Sequence, residues 1–278
     1  MQNLMAKTWN YAALTSISCL IFGLFAFSQL TNFTLIKTVP VEGQFLTSDF
    51  LQNAYVVNTQ NQLLRYDSMG NPMGKYSNPE LGKLSFVDAT SPFNILLMYR
   101  DKNTVMMLDN TLTVKQMYKF TSIQGIGKVS VSCLSSDNFV WFFDQDAQKL
   151  KKINKTYEII QESLDLGSLL GEKIEPNFLI ERDGFVFMNV PEMGVMTFDK
   201  YGNYYNSLPL PTLERFQIIN NKLVYFADGI LNILDLGRDL SLKSIEIPEA
   251  DKLQQVELGS SRLFLLDKSE LQVFATNL

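Results

Sequence analysis

The sequence predicts an all-β fold, a six-bladed propeller of four-stranded blades. Three observations carry that expectation. A unit of short apolar runs and polar turns recurs six times in 278 residues, at intervals of 36 to 45. Each unit holds four strands of 4 to 7 residues, the content of one propeller blade. The last unit lacks its fourth strand, while a spare strand stands ahead of the first.

The chain opens with a leader. Lys7 is followed by an uncharged run from Tyr11 to Phe27, and Ala26 and Ser28 place small residues at −3 and −1 of a cut before Gln29. This is the layout of a secretory signal peptide over residues 1–28, with cleavage between Ser28 and Gln29. The rival is an uncleaved anchor, for which a run of about 17 residues is at the short limit. Ser16 stands three before Cys19, where a lipidation site needs a Leu-like residue. Cleavage removes Cys19 and leaves Cys133, inside the apolar "VSVSCL", as a small buried hydrophobe. The mature domain, residues 29–278, then enters an oxidising compartment without a disulfide.

The spare strand is "FTLIKTV", Phe33 to Val39. It pairs with "LQVFAT", Leu271 to Thr276, completing the last blade and closing the ring against an open edge. Six units follow, starting at Ala54, Asn94, Asn138, Gly184, Lys222 and Arg262. Each begins with a continuous apolar run, such as "FVWFF" after Asn138. Such a run suits an inner strand covered on both faces, while outer strands alternate, as in "YEIIQES". Asp67, Asp109, Asn154, Asp199 and Asp235 recur in the turn before the fourth strand, with Ala275 in the sixth place. An Asp or Asn there bonds its own backbone two residues on. A further short segment precedes each unit: "FLTSDF", "LSFVDA", "VSVSCL", "NFLIER", "FQIINN" and "QQVELG". These are the first strands, which line the central funnel. The longest connection, residues 163–175, has the composition of a short helix.

The turns "RYDSMGN" and "TFDKYGN" resemble the outer hairpins of six-bladed propellers of the NHL and quinoprotein-like type, over roughly residues 33–278. The chain departs from the quinoprotein group in its tryptophans: there are two, Trp9 lies in the leader, and no docking motif repeats. The resemblance implies no cofactor. The Phe/Tyr/Asn/Lys-rich composition and the "AFSQ" junction resemble exported proteins of Bacteroidota. Exported propellers there serve glycan uptake, gliding and type IX secretion. Asp67-Ser68-Met69 resembles the O-glycan acceptor of such proteins, which makes Ser68 a candidate modification site.

Composition excludes more than it assigns. There is no histidine, so Ser-His-Asp and Cys-His catalysis and His-ligated zinc are absent. Net charge is −5, which gives no basic stripe for nucleic acid. The one basic run, "KLKKINK" at 149–155, reads as a solvated strand face. "GIGKVS" at 125–130 lacks phosphate-loop spacing and reads as a bend before a strand. "DQDAQ" at 144–148 lacks the Gly and closing Glu of a calcium loop and reads as a hairpin turn. Glu172 and Glu175 read as a solvated loop, and Met106 and Met107 as core.

Two functions fit. The first is a non-catalytic exported scaffold in a periplasmic or cell-surface complex. It binds another exported or outer-membrane protein and has no membrane span once the leader is cut. Tyr201, Tyr204 and Tyr205, around the turn "DKYGNYYNS", are its candidate contacts, with blade packing as their other reading. The second is an enzyme of lyase or lactonase type. It would hold a carboxylate-bound metal in the funnel, where the first strands offer Asp49, Asp88, Glu181 and Glu257.

Overall fold

The computed structural model describes residues 33–210, 213–237, 239–247 and 249–278. The leader and its cleavage site at Ser28 and Gln29 lie outside the described residues. Strand β1 (Phe33–Pro40) stands ahead of the first blade, which is β2 (Gly43–Ser48), β3 (Ala54–Asn58), β4 (Leu63–Tyr66) and β5 (Pro72–Tyr76). Blade 2 is β6 (Phe86–Ser91), β7 (Asn94–Tyr99), β8 (Thr104–Leu108) and β9 (Val114–Lys119). Blade 3 is β10 (Val129–Leu134), β11 (Val140–Asp144), β12 (Lys149–Ile153) and β13 (Ile159–Glu162). A five-residue helix, α1 (Leu166–Leu170), leads to blade 4: β14 (Phe178–Arg182), β15 (Phe185–Val190), β16 (Gly194–Asp199) and β17 (Tyr204–Leu208). Blade 5 is β18 (Gln217–Ile219), β19 (Lys222–Ala227), β20 (Ile230–Asp235) and β21 (Leu242–Glu246). Blade 6 is β22 (Leu253–Leu258), β23 (Arg262–Asp267) and β24 (Glu270–Thr276), and β1 is its fourth strand.

All six sheets are four-stranded and antiparallel, in chain order apart from the last. Phe33 faces Thr276 and Val39 faces Leu271, so β1 and β24 pair as the sequence predicts. Ala275 therefore lies inside a strand, opposite Thr34, and not in a turn. The chain ends where the other blades turn back.

Inner strands β3, β8 and β11 are buried at every position, because each blade is covered by a neighbour on both faces. Aromatic and long aliphatic side chains fill the seams: Tyr55, Leu97 and Tyr99 between blades 1 and 2, and Trp141, Phe143 and Phe198 between blades 3 and 4. Outer strands β5 and β17 are exposed along nearly their whole length and do not alternate. At the perimeter the blades diverge, and a neighbour no longer reaches either face.

Turn chemistry fixes the register. Asp67 Oδ1 accepts from the N–H groups of Met69 (2.9 Å) and Asn71 (2.8 Å). Asp109, Asn154 and Asp199 repeat the pattern with the residues two and four further on, and Asp235 caps Gly237 N–H at 2.8 Å. A second device recurs at the turn between second and third strands. Asn61 and Asn103 sit there at positive φ, 60° and 46°, and reach into the connection to the next blade. Asn61 donates to Gly82 O and accepts from Leu84 N–H, both at 2.7 Å. Asn103 does the same with Gly127 O (2.9 Å) and Val129 N–H (2.8 Å). In blade 3, Gln148 (φ 53°) clamps Ile174 by N–H and C=O together.

The basic run at 149–155 does not form a solvated face. Lys151 and Lys152 are buried on β12, an inner strand of blade 3. The Lys151 ammonium meets Asp144 at 2.7 Å, and that of Lys152 meets Asp137 at 2.6 Å while lying over the Trp141 ring. Their stems cover apolar neighbours and their charged ends find carboxylates. The "DQDAQ" segment is the expected hairpin turn, with Asp144 accepting from the N–H groups of Asp146 and Ala147. Cys133 is buried, and burial, together with the nearby Asp88 and Glu181, pushes its thiol well up.

Candidate functional site

The first strands β2, β6, β10, β14, β18 and β22 surround the axis. Cross-blade bonds link four of the six neighbouring pairs. Leu134 N–H donates to Asp88 at 2.8 Å, linking blades 3 and 2. Ser136 N–H donates to Glu181 at 2.9 Å, linking blades 3 and 4. Gln217 exchanges two bonds with Leu258, linking blades 5 and 6. Leu46 N–H donates to Gln255, joining blade 1 to blade 6.

An aromatic collar lies near the N-terminal ends of these strands. Phe45 meets Phe86 with ring centroids 6.0 Å apart, Phe86 meets Phe178 at 5.6 Å, and Phe178 meets Phe216 at 5.0 Å, all steeply tilted. Edge-to-face contacts of this kind suit aromatic quadrupoles. From the collar to the C-terminal ends of the first strands runs a cavity of about 410 Å³. The collar and Ile180 and Ile218 form its apolar wall, and Asp49, Asp88, Arg182, Asp183, Arg215 and Glu257 its charged groups.

Two of those acids are committed to the fold. Asp49 accepts from Asn53 N–H (2.9 Å), Asn53 Nδ2 (2.7 Å) and Tyr55 OH (2.9 Å). Asp88 accepts from Leu134 N–H, from Thr90 N–H (3.0 Å) and from the Thr90 hydroxyl. Glu181, the fourth predicted funnel acid, does not border the cavity. It is buried between blades, accepting from Trp141 Nε1 (2.6 Å), Ser135 Oγ (2.6 Å) and Ser136 N–H. Among the described residues, no three Asp, Glu or Cys side chains gather as a metal site would require.

Glu257 and two arginines are different. Burial pushes the Glu257 carboxyl up to about 8, against the Ser48 hydroxyl at 3.2 Å and the charges of Arg215 and Arg182. Burial pulls the Arg215 guanidinium down to about 10, while Glu257 and Glu214 resist. The Arg215 guanidinium lies 3.6 Å from the Phe45 ring centroid, a cation–π stack. Arg182 is also lowered by burial, against Asp88, and donates to Glu181 O at 2.8 Å. Neither arginine forms an ion pair among the described residues. In the sequence the acids of the first strands stand out, while the two arginines carry no signal: Arg182 ends β14 and Arg215 precedes β18.

The tyrosines lie elsewhere, on the perimeter of blade 4. Tyr201, Tyr204 and Tyr205 are all exposed, Tyr205 at 65%. Tyr205 packs on Phe185 at 5.3 Å and Tyr204 on Phe198 at 6.0 Å, so each ring has one supported face. Their turn abuts blade 3, with Gly202 against the backbone of Glu162 and Ser163. Leu164, next to Ser163, is 74% exposed, and Leu169 and Leu170 of α1 are also exposed. Ser68 is half-exposed in the outer turn of blade 1, and its carbonyl accepts from Arg262 Nε at 2.8 Å.

The backbone superposes on a streptogramin B lyase structure with a TM-score of 0.58 at 14% identity, over 90% of this chain and 100% of that one. A catalytically inactive histidine-to-alanine variant of virginiamycin B lyase from Staphylococcus aureus, solved with quinupristin, matches with a TM-score of 0.60. Identity there is 10%, over 87% of this chain and 99% of that chain. The Pan2 WD40 domain of Neurospora crassa matches with a TM-score of 0.54 at 11% identity, over 89% and 96%. No family model matches the chain, and no curated protein does. At these identities the likeness shows the propeller fold alone. Its neighbours include a lyase and a WD40 domain, so fold admits both enzyme and scaffold.

Proposed function

We propose that the protein is an exported, non-catalytic propeller that docks another exported or outer-membrane protein in a periplasmic or cell-surface complex. The observation that carries this reading is the surface where blades 3 and 4 meet. Six large side chains, Leu164, Leu169, Leu170, Tyr201, Tyr204 and Tyr205, stand exposed on adjoining segments. Exposed aromatic and aliphatic groups on a rigid scaffold suit a protein interface. Tyrosines already supported on one face lose little further freedom on binding. Export rests on the leader at residues 1–28. No helix among the described residues is long and apolar enough to cross a membrane.

The enzyme reading has less behind it. The virginiamycin B lyase neighbour is catalytically inactive as a histidine-to-alanine variant, and this chain has no histidine. Of the funnel acids, Asp49, Asp88 and Glu181 already accept three protein donors each.

The test is isolation from the native host after mild crosslinking, for wild type and the double variant Tyr204→Ser/Tyr205→Ser. Wild type is expected in a stoichiometric complex, with a chain starting at Gln29. The double variant is expected to lose the partner and keep its fold, since both rings lie outside the seams. A wild-type monomer with metal-dependent turnover of a lactone or glycan would overturn the reading.

A further inference from the structure

We propose that the central cavity is a binding site for a small organic carboxylate with an apolar body. Its volume, about 410 Å³, lies in the range of small-molecule pockets, which are mostly apolar with a few convergent polar groups. This cavity has that composition. The phenylalanine collar, Ile180 and Ile218 give the apolar part, and Arg182, Arg215 and Glu257 converge on it.

Arg215 carries the proposal. Its guanidinium is stacked on Phe45 and donates to no oxygen among the described residues. A guanidinium offers five N–H donors in a planar fork, and on partly exposed Arg215 these stay open to the oxygens of a ligand. The same residue borders two further cavities, so its guanidinium is open to space on more than one side. The nearby carboxylates do not quench it by contact: Asp49 and Asp88 are held by their own donors, and Glu257 is held by Ser48. A carboxylate entering from the C-terminal ends of the first strands would meet the fork in the bidentate geometry it favours. Its body would rest on Phe216, Ile180 and Ile218. A single negative charge fits better than a phosphate dianion, because Asp49, Asp88 and Asp183 line the same cavity.

The site stands whether or not the perimeter docks a partner. Calorimetric titration of the mature chain with 1-naphthoate, and with the neutral 1-naphthalenemethanol, tests it. One naphthoate per chain is expected, and the alcohol should bind at least about tenfold more weakly, the scale of one charge-assisted hydrogen bond. Arg215→Met should cost naphthoate a similar factor, while Lys200→Met, on the perimeter, should change nothing. If Arg215→Met does not fold, nitrogen-15 NMR of the arginine side chains in wild type gives the same answer, through a shift of the Arg215 Nε–H resonance on adding naphthoate. Equal binding of acid and alcohol, unchanged affinity in Arg215→Met, an unmoved Arg215 resonance, or no binding at millimolar naphthoate would each overturn the proposal.

Discussion

Lys151 shows how this fold takes a charge into its interior. Its ammonium donates to Asp144 Oδ2 at 2.7 Å and to Gly125 O at 3.1 Å, and both ionic side chains are buried. Buried pairs add little net stability, but losing one partner leaves an uncompensated charge. Lys151→Met is therefore expected to cost about 3 kcal/mol. Lys151→Met with Asp144→Asn should recover much of that, because an amide tolerates the loss of the cation. Urea denaturation of the three proteins decides it, and equal stability of Lys151→Met and wild type would contradict the buried pair. The burial of these lysines is hidden in the sequence for a physical reason. Lys alternating with apolar residues is the pattern of a half-solvated strand, and its burial depends on carboxylates that a neighbouring strand and turn bring up. Arg215 was invisible for a related reason. It lies before β18 with no periodic signal, and it acquires meaning when ring formation sets Phe45 of blade 1 beneath it.

At the scale of elements, blades 1, 2 and 3 are each tied to the next by a side-chain amide. Asn61, Asn103 and Gln148 clamp backbone 21 to 26 residues downstream, satisfying both an N–H and a C=O in the connection. Each also adopts the left-handed conformation its turn requires, which Asn tolerates better than β-branched residues. Asn103→Ala removes the clamp and places Cβ-bearing alanine at φ 46°, while Asn103→Gly removes the clamp alone. The expectation is a loss of about 1–2 kcal/mol for glycine and roughly 1 kcal/mol more for alanine. Denaturant titration of both variants tests this, and a glycine variant as stable as wild type would show the clamp to be idle. Sequence made the Asp and Asn turns before the fourth strands legible because donor and acceptor lie within five residues. The clamps were not legible, since their partners lie in another blade's connection and no short motif joins them.

For the whole molecule, stability turns on closing the ring. Six blades each cover their neighbours, and the sixth is assembled from the two ends of the described chain, with β1 laid on β24. This much was readable from counting strands: a truncated last unit and a surplus first strand have one consistent solution in a ring. Without β1, β24 becomes an open edge and the seam between blades 6 and 1 loses Ile36 and Val39, which pack on the cluster that holds Leu46, Val56, Phe264 and Leu266. Phe33 also leaves the opposite seam, between blades 5 and 6. Partial burial of such side chains is worth roughly 1 kcal/mol each, and each ladder hydrogen bond about as much. Deleting residues 29–40 should therefore cost several kcal/mol and lower the melting temperature of the whole domain in one transition, because no blade can shed a neighbour without exposing its own core. A synthetic peptide spanning residues 33–40, added in excess, should restore part of the loss by refilling the edge, as any ligand of the native state does. Calorimetry of the full and truncated chains, with and without the peptide, reads both effects. An unchanged melting temperature after truncation would mean that β1 is not what holds the sixth blade shut.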